Sequence, residues 1–242
     1  MRILTLLVLF SLFALSAMAS PFDEANQLYD QGKFQDAKQR YEQLLAGGTC
    51  TANVYYNLGN AEYRLGQPGR AILGYERALA LQPAHPEAAA NLKLAREQSG
   101  ARLLDATWLD HVVLPWRATI YTMIAAAAAW LIVGSIAAMT AWRLSDHVGV
   151  WTVLILSLIA AGYSTLGILQ AKQEQALAIV TTKEAPARLS PADSAATAEL
   201  LPAGSRVSIL SEHGAWIYCE LPGNTRGWLS AKALERVRSE NS

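Results

Sequence analysis

Two long stretches without charge constrain the fold of this chain more than any other feature. Residues 118–141 and 148–171 contain no Asp, Glu, Lys, Arg or His, although charged residues make up 17% of the 242-residue chain. A bilayer core is crossed by about 20 apolar residues, so the stretches predict two transmembrane helices joined by a turn over 142–147. The alternative is a hairpin buried in a soluble protein. The buried hairpin is disfavoured because a protein of this size has too little hydrophobic core to bury both uncharged stretches.

The N-terminus has the three parts of a secretory signal. Arg2 supplies a positive charge, residues 3–15 are almost wholly apolar, and Ala17-Met18-Ala19 places small residues before a cleavage site. We therefore predict a signal peptide over 1–19, and an uncleaved anchor is the alternative. Either one exports the segment that follows. The tight hairpin then returns the C-terminal region to the same side, with the 142–147 turn in the cytoplasm. In a bacterium this predicts an inner (cytoplasmic) membrane protein with both folded regions periplasmic; a eukaryotic secretory origin stays open.

Residues 22–98 repeat at an offset of 34 residues. The aligned pairs are Ala25 with Gly59, Asn26 with Asn60, Tyr29 with Tyr63, Gly32 with Gly66, Ala37 with Ala71 and Tyr41 with Tyr75. Small residues at helix crossings and an aromatic behind them suit stacked helical hairpins. The pattern predicts helices over 22–31, 34–46, 52–65, 68–81 and 86–98, the last a capping helix within a repeat region of residues 20–100.

The second repeat carries the family resemblance. The run from Tyr55 to Gly66, followed by Ala71, Tyr75 and Pro83, resembles the tetratricopeptide (TPR) pattern. Glu62 departs from it, because the family usually has an aromatic there, and we expect Tyr63 to compensate. The resemblance implies an α-solenoid whose concave face binds a protein or peptide.

Amide and aromatic side chains are the candidate partner-binding residues of that face. Amides can hydrogen-bond an extended backbone and an arginine can meet a carboxylate. The candidates are Asn26, Tyr29, Asn57, Asn60, Tyr63, Arg64 and Asn91. The alternative is that Asn57 and Asn60 satisfy local backbone groups.

Beyond a linker (101–117) and the hairpin, residues 172–242 read as a small β domain. Short β-branched runs alternate with turn signals such as Pro202-Ala203-Gly204 and Pro222-Gly223-Asn224. The motif around Gly214-Ala215-Trp216 and Gly227-Trp228-Leu229 resembles the bacterial SH3 (SH3b) family. That resemblance implies non-catalytic binding to cell-wall glycan, peptide or protein. We expect Trp216 and Trp228 to anchor its core.

Composition and motifs argue against several other classes. Twenty basic residues balance 20 acidic ones, so the chain lacks the basic excess of a nucleic-acid binder. No catalytic, cofactor-binding or metal motif is found, which predicts a non-enzyme without cofactor. Cys50 and Cys219 are too few for a disulfide framework, although a bond between them would tie the two outer domains together.

The whole order predicts a multi-domain chain: an all-α TPR solenoid, a two-helix transmembrane hairpin and an all-β SH3-like barrel. That order resembles the TPR-containing membrane protein of the bacterial aerotolerance (Bat) operon, whose neighbours include membrane proteins with von Willebrand A-type domains. The resemblance implies a membrane-anchored scaffold for protein partners in an envelope stress complex. The alternative is a peptidoglycan-binding anchor that acts through the SH3b domain.

Overall fold

A computed structural model describes residues 20–114, 118–141 and 147–238. The predicted signal peptide over 1–19 lies outside these residues, as does nearly all of the predicted 142–147 turn. Both therefore stay predictions.

Five helices form the N-terminal region, and each begins and ends within one residue of its predicted bounds. They are α1 (Pro21–Asp30), α2 (Phe34–Ala46), α3 (Ala52–Arg64), α4 (Pro68–Leu81) and α5 (Pro86–Ser99). Ser20 caps α1, because its hydroxyl accepts the Asp23 backbone N–H at 3.1 Å. Gly66 has φ +71° in the turn between α3 and α4, a conformation that L-residues with a Cβ adopt reluctantly.

Close backbone contact joins α3 to α4. A Cβ on Gly74 would lie 2.9 Å from the Gly59 Cα, so a side chain at either position would separate the helices. Tyr41 and Tyr75 are buried at equivalent positions of the two repeats. Glu62 itself is 4% exposed. Tyr63 packs at the edge of the core around Ile72 and Tyr75, and its hydroxyl donates to Gln98 Oε1 at the surface, so the predicted compensation stays a prediction.

Three helices make up the middle of the chain. They are the short α6 (Trp108–Val112) and the long α7 (Ala118–Ala141) and α8 (Val148–Gln175). Tyr121 at the start of α7 packs against Gly167 near the end of α8, so the two long helices are antiparallel. Both have a mean hydropathy of 2.0 in their most apolar windows, of which only 11% and 17% is buried. Length, composition and exposure suit membrane-crossing helices better than core helices of a soluble protein.

The C-terminal region is one antiparallel sheet of seven strands in the order β3-β2-β6-β5-β4-β1-β7. The strands are β1 (Leu177–Val180), β2 (Glu184–Arg188), β3 (Thr197–Pro202), β4 (Arg206–His213), β5 (Trp216–Leu221), β6 (Thr225–Ser230) and β7 (Leu234–Arg236). Their inward side chains share one core that includes Val180, Val207 and Leu229. The edge strands β3 and β7 do not pair with each other in the described chain. The sheet is therefore open, and a closed SH3-like barrel is not confirmed.

The expectation that Trp216 and Trp228 anchor this core is wrong. Side chains alternate along β5, and the buried set is Ile217, Cys219 and Leu221, which leaves Trp216 on the outer face. Trp228 lies on the same outer face of β6 and is also only partly buried. The two cysteines do not pair either: Cys50 is an exposed free thiol and Cys219 a buried one.

The β domain packs directly on α4 and α5. Ile179 of β1 and Val237 share a core with Ile72 of α4 and Leu92 of α5, so the sheet covers a face that a further repeat would otherwise cover. The backbones come close, because a Cβ on Gly69 would lie 2.6 Å from the Val180 carbonyl oxygen. Two repeats alone are short for a solenoid, and this docking supplies the missing burial.

Charged groups hold the same interface. The Glu76 carboxylate on α4 accepts hydrogen bonds from Arg96 of α5 and, at 2.5 Å, from Arg206 of β4. Arg77 donates from Nη2 to the Arg236 carbonyl oxygen at 2.8 Å. A buried carboxylate that pairs with two guanidinium groups stabilises this interface, because its removal would leave two positive charges close together without a counter-charge.

Candidate partner-binding groove

The side chain of Asn26 on α1 links the two helices of the first repeat, α1 and α2, to α3 of the second repeat. Its Oδ1 accepts from the Tyr41 hydroxyl of α2 at 2.7 Å and from Asn57 Nδ2 of α3 at 2.8 Å. The sequence could not show that one acceptor serves two donors from different helices. The contact brings together two residues of the predicted site, Asn26 and Asn57.

The same arrangement recurs one repeat later. Asn60 Oδ1 accepts from the Tyr75 hydroxyl at 2.9 Å and from Asn91 Nδ2 at 3.0 Å. Each participant lies 34 residues after its counterpart in the first repeat, including the pair Asn57 and Asn91. The alignment of those two residues was the signal available in the sequence for this ladder of paired amides.

The ladder uses only half of each amide. Among the described residues, the Nδ2 groups of Asn26 and Asn60 and the Oδ1 atoms of Asn57 and Asn91 make no hydrogen bond. All four side chains are partly exposed. Each repeat therefore offers one unused donor and one unused acceptor, the pair that an extended peptide backbone needs.

The tyrosines of the ladder stay protonated over the physiological range. Burial raises the pKa of Tyr41 to about 12 and raises the pKa of Tyr75 still further. Their hydroxyls therefore remain donors, and the asparagine rotamers are held in one orientation.

The other predicted residues lie at the far end of α1 and α3. The Arg64 guanidinium lies 4.5 Å above the Phe34 ring, and the Tyr29 ring meets that ring edge-on at 5.2 Å. Arg64 is thus partly held by a cation–π contact. Tyr63 is bound to Gln98 of α5, so it links the second repeat to the capping helix.

A cavity of about 450 Å³ opens at the opposite end of α3. Most of its walls lie outside the residues predicted from the sequence; they include Phe22, Asn53, Tyr56, His85 and Glu87. His85 is 7% exposed, and its Nδ1 accepts the Ala88 backbone N–H at 3.3 Å, which caps α5. Its ring packs 4.9 Å from that of Tyr56. The cavity thus has aromatic walls and one exposed carboxylate, Glu87, at its rim.

A separate aromatic strip lies on the outer face of the β domain. The Trp228 ring stands between Tyr218, 4.9 Å away, and His213, which meets it edge-on at 5.4 Å. Such rings can stack on sugar faces as well as on protein side chains. Within the part of the chain that the structure describes, no group of three or more His, Cys, Asp or Glu side chains is arranged to hold a metal ion.

The fold and groove define a TPR array docked on a β domain, and comparison with known proteins supports the first part. The tetratricopeptide repeat family model matches residues 22–89 and 56–106. The N-terminal region therefore contains TPR repeats, as the 34-residue period predicted, and such repeats indicate a protein-binding scaffold.

One curated relative is similar over part of its length. The probable biofilm formation methyltransferase WspC of Pseudomonas aeruginosa is 39% identical over 94 residues, which cover 36% of this chain. The match covers only 22% of that protein. The chain thus spans about a fifth of this relative, and the activity in its name is stated of that protein alone.

Proposed function

We propose that this chain is a non-enzymatic, membrane-anchored scaffold that holds a partner protein in its TPR groove. The observation that carries the proposal is the duplicated amide ladder, which leaves one donor and one acceptor unused in each repeat. An extended segment of a partner can pair its backbone with these groups, and one of its side chains can enter the aromatic cavity beside Tyr56.

Membrane anchoring follows from α7 and α8. The β domain and the repeats share a core and a buried ion-pair cluster, so both stand on the same side of any bilayer that the hairpin crosses. We place that side in the periplasm of a bacterium, with the hairpin in the inner membrane. The finer proposal is an SH3b-type domain and a role in an envelope stress complex of the aerotolerance type, with von Willebrand A-domain membrane proteins as partners.

Partner binding is tested by co-purification of the full chain in detergent followed by mass spectrometry. Asn53 is exposed on the cavity wall, so Asn53→Arg should block the groove and remove the co-purified partner. Gln39 is also an exposed helix residue and lies outside that cavity, so Gln39→Arg is the matched control. Retention of the same partners by both variants would contradict the proposal.

Sidedness is tested with the chain's own thiol. Cys50 is exposed, so a membrane-impermeant maleimide should label it in intact spheroplasts. A variant that combines Cys50→Ser with Ser145→Cys should be labelled only after permeabilisation, because that position lies in the predicted cytoplasmic turn. The reverse pattern would place both folded regions in the cytoplasm.

A second candidate function, peptidoglycan binding, is favoured by the aromatic strip of Tyr218, Trp228 and His213. Purified sacculi should then sediment the detergent-solubilised chain. Trp228→Ala should weaken this binding, whereas Leu200→Ala, at a residue 51% exposed on the edge strand β3, should not. No sedimentation of the unaltered chain would leave the scaffold as the better reading.

A further inference from the structure

A second, larger cavity lies where the β domain meets the end of the membrane hairpin. Its volume is about 810 Å³, within the range of small-molecule sites. Its walls come from the segment that precedes α6, the last turns of α8, and strands β4 and β5. Neither the groove nor the aromatic strip uses it.

The residues around the cavity indicate the level at which it would lie relative to a lipid bilayer. Gln170 and Lys172, at the end of the uncharged stretch of α8, line one wall. Beside them, α6 packs Leu109 onto Tyr121 and Tyr163 but leaves Trp108 62% exposed. A charged residue at a helix end and an exposed tryptophan mark the headgroup level. This step rests on the membrane anchoring proposed above.

The walls combine apolar surface with unmatched polar groups. Leu103 and Leu210 are each 45% exposed there. The buried Gln170 Oε1 accepts no hydrogen bond from the described residues, while its Nε2 donates to Asp110 Oδ1 at 3.2 Å. A buried acceptor without a donor is costly unless a ligand supplies one.

Charge decides the ligand class. Asp105, Asp110 and Glu220 line the cavity and form no ion pair with the described residues. The guanidinium of Arg206 is bound to Glu76. Among the described wall residues, Lys172 is therefore the positively charged side chain that remains available to bind an anion. The cavity therefore offers several acceptors for a cation that donates N–H groups and one lysine for a phosphate.

We propose that this cavity binds the headgroup of an aminophospholipid of the phosphatidylethanolamine type. The three N–H groups of the ammonium donate to Gln170 Oε1 and to the carboxylates of Asp105 and Glu220. Asp110, already bound to Gln170 Nε2, adds negative charge beside them, the phosphate faces Lys172, and the leucines cover the first methylenes of the lipid. Phosphatidylcholine has the same charges but no N–H donor, so it cannot satisfy the glutamine oxygen.

The test is lipid retention by the full chain in nanodiscs made from equal amounts of phosphatidylethanolamine and phosphatidylcholine with matched acyl chains. Native mass spectrometry of the released protein should find phosphatidylethanolamine enriched about tenfold, as expected for one charge-assisted hydrogen bond. The double variant Asp105→Asn with Glu220→Gln should lose most of the enrichment. The charge-matched control Asp193→Asn with Glu184→Gln, at exposed positions away from the cavity walls, should keep it.

Equal retention of the two lipids, or equal enrichment in both double variants, overturns the proposal while leaving the scaffold intact. A photoreactive residue in place of Leu210 provides a second readout. Crosslinking to a polypeptide instead of a lipid shows that a basic protein segment fills the cavity, and this also overturns the proposal. A chain that fails to enter nanodiscs at all refutes membrane anchoring and, with it, this inference.

Discussion

Replacing Glu62 with glutamine is expected to stabilise the repeat array at alkaline pH. Glu62 is 4% exposed, and the nearest cation, Lys38 Nζ, lies 4.0 Å away and is shared with Glu42 at 3.7 Å. Desolvation outweighs this weak pairing and raises the pKa of Glu62 to about 7. The chain therefore folds with a carboxyl group that is easier to bury when it is neutral.

The sign and size of the effect follow from proton linkage. Because the pKa is raised in the folded state, folded Glu62 holds a proton between about pH 4.5 and 7 that the unfolded chain has lost. The free energy of unfolding therefore falls as the pH rises through this window and is constant above it. A difference of about 2.5 pKa units corresponds to about 3 kcal/mol. Glu62→Gln, which cannot ionise, should regain up to about 3 kcal/mol at pH 8 and almost nothing at pH 4.

Hydrogen exchange followed by mass spectrometry is the appropriate assay. All seven tryptophans lie after residue 100, so tryptophan fluorescence does not report on the repeats, whereas amides of α3 and α4 give their opening free energies directly. Glu42→Gln is the control, because Glu42 faces the same lysine but is 47% exposed. Equal effects of Glu62→Gln at pH 4 and pH 8, or destabilisation at pH 8, would refute the reasoning.

Three further predictions concern the ladder, the interface and the thiols. Asn60→Ala removes the acceptor of two hydrogen bonds and should lower the free energy of unfolding by about 1–3 kcal/mol. Circular dichroism should show this loss as a lower thermal midpoint. Glu76→Ala leaves two partly buried guanidiniums unpaired and should cost about 2–3 kcal/mol in the opening free energy of α4, whereas the exposed Glu97→Ala should have little effect. A maleimide should modify Cys50 in the folded chain but Cys219 only after denaturation, because burial raises the pKa of the Cys219 thiol to about 12; mass mapping before and after denaturant checks both.

The helices and the repeat were predictable because their signals are local. Small residues at Ala25 and Gly59, and prolines at the first turns of α4 and α5, fix where helices begin and where they cross. The face of β5 was predictable but was assigned wrongly. Its sequence places Trp216, Tyr218 and Glu220 on one side and Ile217, Cys219 and Leu221 on the other, so the charge of Glu220 marks the outer face, although the aromatic rings beside it suggested a core position.

The candidate site was predictable only in part for a related reason. The 34-residue period indicated which asparagines occupy equivalent positions in the two repeats. It did not indicate that the Oδ1 atoms of Asn26 and Asn60 each accept hydrogen bonds from a tyrosine hydroxyl and from a second amide. The cavities were missed because their walls come from segments distant in sequence; Leu103 and Leu210, for example, line the same cavity. Contacts of that kind depend on how the β domain docks, which no local pattern encodes.

That docking changes how the segment between the repeats and the long helix α7 must be understood. Residues 101–117 were predicted as a linker, yet the Arg102 backbone N–H donates to Ser205 Oγ at 3.1 Å and its carbonyl accepts from the Arg206 N–H at 2.9 Å. These bonds hold the start of the segment against β4, so the repeats are not tethered by a free chain. If the chain is the membrane-anchored scaffold proposed above, a partner in the groove stands at a restricted distance from the ends of α7 and α8. We then expect binding to favour partners that present their segment at that height above the bilayer. Lengthening the segment after Asp105 should change the set of proteins that co-purify, as identified by mass spectrometry, without altering the groove itself.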